Sequence, residues 1–145
     1  MKLTNNNEKS LQAGYSGTPL IKKLGIKECS EIIIINPPVG YMNYLGELPA
    51  GVILENKLSG KLDFIHFFTT SKTEFEKKFR ELKKSLNTNG QIWISWPKKS
   101  SKIPTDITED TIRNFILKNG LVDVKVCAID EIWSGLKLVY RLKDR

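Results

Sequence analysis

The sequence has little of what usually declares a chemistry. It contains one histidine, His66, two cysteines, Cys29 and Cys127, and two methionines, and no apolar run approaches the roughly 20 residues that span a bilayer. The longest strongly apolar run is Ile32 to Ile35, and the N-terminus lacks the apolar region of a signal peptide. A soluble, cytoplasmic protein without a membrane partner is therefore expected. The two cysteines are far apart and give neither a metal-ligand spacing nor a dense disulfide framework, so both are expected as reduced thiols. A zinc site lacks its ligands. A histidine-assisted serine or cysteine nucleophile would require His66, which no nucleophile-elbow spacing accompanies. No catalytic residue and no metal ligand is assigned on these grounds, and the balance leans away from an enzyme.

What is present fits one ordinary globular domain: 145 residues and 16.5 kDa, 40% apolar and 27% charged. Residues 1–13, polar and carrying Asn5, Asn6 and Asn7 in a row, are expected as a frayed tail, and residues 14–145 as a single domain. The formal charge is +7, unevenly spread. Residues 73–104 hold 8 basic and 3 acidic groups, whereas residues 105–145 are balanced at 7 and 7. A basic stretch of this kind attracts anions, nucleic acid included, although Lys alternating with Glu on a helix is also ordinary solvated surface.

Along the chain, Thr18-Pro19 is expected to start a short helix that carries Leu20, Ile21 and Leu24 and leaves through Gly25. The β-branched run Ile32 to Ile35 suits a central strand covered on both faces, and it stops at Pro37-Pro38, which supply no amide donors. A helical turn over Tyr41 to Leu48 and a short strand over Val52 to Glu55 follow. Leu62 to Thr69 predicts a third strand. Ser71 with Glu74 forms a capping-box pattern ahead of Phe75, Phe79, Leu82 and Leu86, with Asn89-Gly90 expected to close the helix. Gln91 to Trp96 predicts a fourth strand and Lys98 to Thr105 a polar basic loop. Thr108 caps a helix with Ile112, Phe115 and Ile116 that stops at Asn119-Gly120. Leu121 to Ile129 and Leu136 to Leu142 are joined too closely for a crossover helix, so they should pair antiparallel, with Trp133-Ser134-Gly135 as a packed turn. The sum is a small Rossmann-like α/β domain, mainly parallel, with a C-terminal antiparallel hairpin and helices on both faces.

Two resemblances arise from these segments. Gly14-Tyr15-Ser16-Gly17-Thr18-Pro19-Leu20, Ser95-Trp96-Pro97-Lys98-Lys99 and Gly120 to Cys127 running into Asp130-Glu131 and Trp133 to Lys137 resemble a family of small bacterial proteins of unknown function, a likeness that implies no activity. Residues 30 to 142 also resemble the layout of class I S-adenosylmethionine-dependent methyltransferases: Leu62 to Ile65 is similar to their fourth strand, Asn89 to Ile94 to their turn and fifth strand, and the final hairpin to their antiparallel ending. The departure is after the first strand, where a glycine-rich turn gives way to Asn36-Pro37-Pro38-Val39-Gly40, of which only Gly40 could serve. The segment before Leu62 is also too short for two complete strand-helix units.

Ligands of open α/β sheets bind at the carboxyl ends of parallel strands, which makes Asn36, Gly40, Tyr41, Thr69, Ser71, Trp96, Lys98 and Lys99 candidate ligand contacts. Glu55 stands 19 positions after Asn36, near the spacing of an acidic residue that holds a ribose. Trp96 beside Lys98, Lys99 and Lys102 could stack a base and neutralise phosphate, or be a solvated loop on a buried tryptophan. His66, among Phe64, Ile65, Phe67 and Phe68, fits a core position better than a general base. Asp123, Asp130 and Glu131 could bind a metal or form an acid-base pair, but carboxylates at a hairpin more often cap turns or meet lysines such as Lys125 and Lys137. The expected function is non-catalytic binding of a partner or an anionic small molecule. The alternative is a minimal methyltransferase using S-adenosylmethionine, and the second alternative is RNA binding through residues 73–104.

Overall fold

A computed structural model describes residues 18–145, so the tail over residues 1–13 and the start of the Gly14 to Leu20 segment lie outside the described residues. The described chain forms a six-stranded sheet with strands β1 (Glu31–Ile35), β2 (Ile53–Glu55), β3 (Leu62–Phe68), β4 (Leu86–Pro97), β5 (Leu121–Ala128) and β6 (Trp133–Tyr140). The helices are α1 (Leu20–Leu24), α2 (Tyr41–Leu45), α3 (Lys72–Lys84) and α4 (Glu109–Lys118). The order across the sheet is β2-β1-β3-β4-β6-β5. The first four strands pair in parallel, while β6 runs antiparallel between β4 and β5. This is the methyltransferase-like Rossmann layout, with a single strand and one five-residue helix between β1 and β3.

Burial on both faces explains why β1 and β3 are almost wholly apolar. One face carries Ile33, Ile65, Phe67, Ile92, Ile94, Leu136 and Leu138 under α3 and α4; the other carries Ile32, Phe64, Phe68 and Trp93 under α1 and α2. Helix α3 turns Phe75, Phe79 and Leu82 to the sheet, and α4 adds Ile112 and Ile116. At the Thr108 cap, the Thr108 and Thr111 side chains exchange hydrogen bonds with each other's backbone amides. On the opposite face, the Trp93 indole donates to the Leu24 carbonyl at 3.0 Å and the Gln91 amide to the Gly25 carbonyl at 3.1 Å, which fastens the exit of α1 to β4.

Four local expectations are corrected. Pro19, extended at φ −55° and ψ 143°, occupies the cap position of α1, which has no side-chain capping bond; Thr18 is thereby displaced one residue from the free amides. Helix α3 stops at Lys84 and β4 begins at Leu86, with three extra residues bulged between the pairs Leu62–Leu86 and Phe64–Gln91. Gly90 is therefore not a helix stop: a Cβ there would lie 2.9 Å from the Asp63 carbonyl oxygen. Ser71 caps Glu74 as expected, but Glu74 returns its carboxylate to the Thr69 hydroxyl at 2.5 Å, and Thr69 accepts the Ser71 amide instead. Trp133-Ser134-Gly135 opens β6 rather than forming a turn, because Gly135 lets the Ile129 side chain and the Trp93 ring pass where a Cβ would be 2.8 and 3.0 Å away.

Both outer strands are poor templates for further pairing. β2 is three residues long, and β5 carries a one-residue bulge at Val124 followed by Lys125. The Arg113 guanidinium ties α4 to this edge, donating to Asp123 at 3.0 Å and pairing with Glu109 and Asp110, so Asp123 meets neither Lys125 nor Lys137. Leu82 is wholly buried, so Leu82→Ala should lower the unfolding free energy by about 2–5 kcal/mol in urea titration, against about 1 kcal/mol for loss of the exposed cap in Thr108→Ala.

Candidate functional site

The carboxyl end of β1 is shaped by one residue in an unusual conformation. Asn36 leaves the strand at φ 57°, a region asparagine tolerates better than most residues, and its side-chain amide donates to the Phe68 carbonyl at 3.4 Å. Pro37-Pro38 then carries the chain away from the sheet until Gly40, at φ 85°, turns it into α2. Among the described residues nothing lies within 4 Å of the position a Gly40 Cβ would take, so they leave the space beside this turn open. Val39 is fully exposed at its tip. The amides of Val39 and Gly40 make no hydrogen bond among the described residues.

Helix α2 is short and holds its place through Tyr41. The Tyr41 hydroxyl is 2.8 Å from His66 Nδ1, and His66 Nε2 is 2.8 Å from Ser95 Oγ, giving a buried chain across α2, β3 and β4. The imidazole also stacks on Phe68 with 4.1 Å between centroids. All three polar groups thus find partners in a core that would otherwise penalise them. Burial lowers the His66 pKa to about 3, keeping the ring neutral, and it raises that of the Tyr41 phenol, helped by the nearby negative charge of Asp130. His66 is a structural histidine here, as its apolar neighbours imply.

The other wall comes from the β5–β6 turn. Asp130 Oδ1 accepts the amides of Ile132 and Trp133 at 2.8 and 2.7 Å, which makes Asp130 a turn-former and bends the tip over β3, where Trp133 meets the Phe68 ring edge-on. Between this tip and the post-β1 loop lies an open pocket of about 280 Å³, lined by Pro38, Val39, Gly40, Tyr41 and Tyr44 on one side and residues 130–132 on the other.

The expected contacts distribute unevenly around it. Gly40 and Tyr41 line the pocket, and Asn36 lies at the start of its loop. Thr69 and Ser71 are engaged in capping α3. Trp96 is buried in the α3–α4 face of the core, so its ring is not a stacking surface. The Lys98 ammonium donates to the Asp130 carbonyl at 2.8 Å and its amide to the Ile132 carbonyl at 2.7 Å, so this cation fastens the hairpin tip. Lys99 is exposed in a 3₁₀ turn over Lys99–Ser101. Glu55 stands across β1, paired in register with Ile33, and its carboxylate has no partner among the described residues. It does not line the pocket. Asp130, Glu131 and Ile132 were not in the expected contact set. The spacing Asp130-x-Ile132-Trp133, an Asx-turn pattern, is the signal that could have marked the turn.

Comparison with known proteins places the fold. No family model and no curated protein matches the chain. Among solved structures, a candidate type 11 methyltransferase from Sulfolobus solfataricus is similar at 17% identity over 84% of this chain and 89% of that one, with a TM-score of 0.59. A SAM-dependent methyltransferase from Aquifex aeolicus is similar at 18% identity over 82% and 86%, TM-score 0.55. The magnesium protoporphyrin IX methyltransferase of Synechocystis PCC 6803, solved with bound SAH, is similar at 11% identity over 84% and 78%, TM-score 0.53. At these identities the likeness is one of fold. No described helix is long and apolar enough to cross a membrane.

The neutral, buried histidine has a measurable consequence. Its pKa is depressed in the fold, so the unfolded chain takes up a proton near pH 6.5 that the native state refuses, and stability falls as the pH drops from 6.5 towards 3. Between about pH 6.5 and 5, above the range where carboxylates dominate, the unfolding free energy should fall with a slope approaching roughly 1 kcal/mol per pH unit. The slope should vanish in His66→Gln, measured by urea titration at each pH.

Proposed function

We propose that the protein is a minimal S-adenosylmethionine-dependent methyltransferase domain. The observation that carries this reading is the open turn at the end of β1: no described atom stands where a Gly40 side chain would be, and the amides of Val39 and Gly40 are unused among the described residues, at the crevice where sheets of this kind hold their ligands. The residues present fit an S-adenosyl group in three respects. Glu55, without a partner among the described residues at the end of β2, is an acceptor for ribose hydroxyls. The amides of Val39 and Gly40 are donors for a carboxylate, standing in for those the two prolines lack. The Asn36 side chain, set by its left-handed backbone, lies between these and the end of β3.

When bound, S-adenosylmethionine supplies an electrophilic methyl group on a sulfonium. The chain's part is to orient it. Glu55 and the 36–40 loop fix the two ends of the ligand, and the Tyr41–His66–Ser95 chain keeps the loop from shifting by anchoring the first residue of α2 in the core. The neutral His66 is sealed from solvent and takes no part in proton transfer.

A second reading, binding of a partner or small molecule without catalysis, is favoured by one specific feature: Pro37-Pro38 removes two amides from the turn, leaving less to hold a cofactor than a glycine-rich loop does. Calorimetric titration with S-adenosylhomocysteine separates the two. The methyltransferase reading expects one-to-one binding in the micromolar range, weakened about 10-fold or more in Glu55→Gln, since a charged hydrogen bond contributes roughly 1.5–3 kcal/mol. No heat up to millimolar ligand would sink it and leave the non-catalytic reading.

A further inference from the structure

We infer that the pocket between the post-β1 loop and the hairpin tip takes a small molecule that carries a protonated amine on an apolar or aromatic body. The methyltransferase reading uses the Val39 and Gly40 amides of this same loop together with Glu55, whereas the present inference rests on Asp130 and Glu131 of the facing wall and does not involve Glu55, which does not line the pocket.

The chain as a whole carries a charge of +7, and an anionic ligand would be the default partner for it. The pocket reverses that sign. Asp130 and Glu131 line it, and no lysine or arginine does among the described residues. Asp130 spends one carboxylate oxygen on two turn amides, which fixes its position, and neither its other oxygen nor the Glu131 carboxylate has a partner among the described residues. The Lys98 ammonium, held by the Asp130 carbonyl outside the pocket lining, offsets part of the Asp130 charge, while the Glu131 carboxylate has no ion pair among the described residues. The Asp130 charge is felt across the cavity, where it helps to hold the Tyr41 phenol protonated.

The remaining walls are apolar or aromatic. Val39 is fully exposed, and Tyr44 and Ile132 are 45% and 41% exposed. Aromatic rings beside carboxylates form a familiar environment for an ammonium group, which gains from the ring faces as well as from the charges. A carboxylate or phosphate in the same position would lose its hydration to face two negative groups. A cavity of about 280 Å³ lies at the small end of ligand pockets, enough for one ring and a short amine chain.

The test is a two-dimensional ¹⁵N NMR titration of the whole protein at neutral pH and low salt with 2-phenylethylamine, and separately with 3-phenylpropionate, which replaces the amine with a carboxylate. The amine should shift the amides of Val39, Gly40, Tyr41, Glu131 and Ile132 saturably, and bind at least about 10-fold more tightly than the acid. Glu131→Gln, at an exposed position, should weaken amine binding by about 3- to 10-fold, in line with a lost ammonium–carboxylate contact. Equal or tighter binding of the acid, or amine shifts that map away from these residues, would overturn the inference. S-adenosylhomocysteine titrated into the same samples keeps the two ideas apart. Its failure to bind while the amine binds removes only the methyltransferase reading, and the reverse result removes only this one.

Discussion

A parallel strand covered on both faces has no solvent to offer a polar side chain, and β3 nevertheless places an imidazole at its centre. That constraint organises the rest. His66 can be buried only if both ring nitrogens are matched, and the matching groups come from two different elements, Ser95 on the neighbouring β4 and Tyr41 at the start of α2. Ser95 is supplied by strand register alone, since Phe68 pairs with Ser95 and His66 with Trp93. Tyr41 is supplied only when the chain leaving β1 turns at Asn36, runs through the two prolines and turns again at Gly40. The shape of the ligand-facing loop is thus tied to the satisfaction of one buried histidine, which is a stricter tether than the few apolar contacts a five-residue helix can make.

The hairpin tip is built on a parallel logic from the opposite end of the sheet. Asp130 closes the turn with its side chain, Lys98 grips the same residue through its carbonyl, and Trp133 leans on Phe68, the ring that also stacks on His66. The two walls of the pocket therefore meet on one aromatic neighbour. A cation that sequence alone would offer to an anionic ligand is spent on holding this turn, and the carboxylates are left facing the cavity.

Much of the architecture was legible because local chemistry and global fold agree. The Ile32–Ile35 run, the caps at Ser71 and Thr108, and the apolar faces of α3 and α4 each carry their own signal at the right period. Where the sequence misled, tertiary packing had overridden a local pattern: Asn89-Gly90 resembles a helix stop, but Gly90 is required by the close passage of Asp63, and Gly135 makes room for Trp93 rather than for a turn. The candidate site divides in the same way. Gly40 and Tyr41 could be placed because they follow a strand end, whereas the hairpin wall could not, since it joins residues about 90 positions apart whose meeting depends on the sheet order. The roles of Trp96 and Lys98 were hidden for a related reason, as neither burial nor a lysine's choice of a carbonyl partner leaves a mark on sequence spacing.

The two outer strands bear on how the molecule behaves in a crowd of its own copies. One margin of the sheet offers only three residues of backbone, and the other is interrupted by the bulge at Val124 and guarded by Lys125, so neither presents the long, flat row of free amides and carbonyls on which another sheet could grow. Among the described residues, a sheet rich in β-branched side chains thus ends in two margins that disfavour edge-to-edge joining with a second copy of itself.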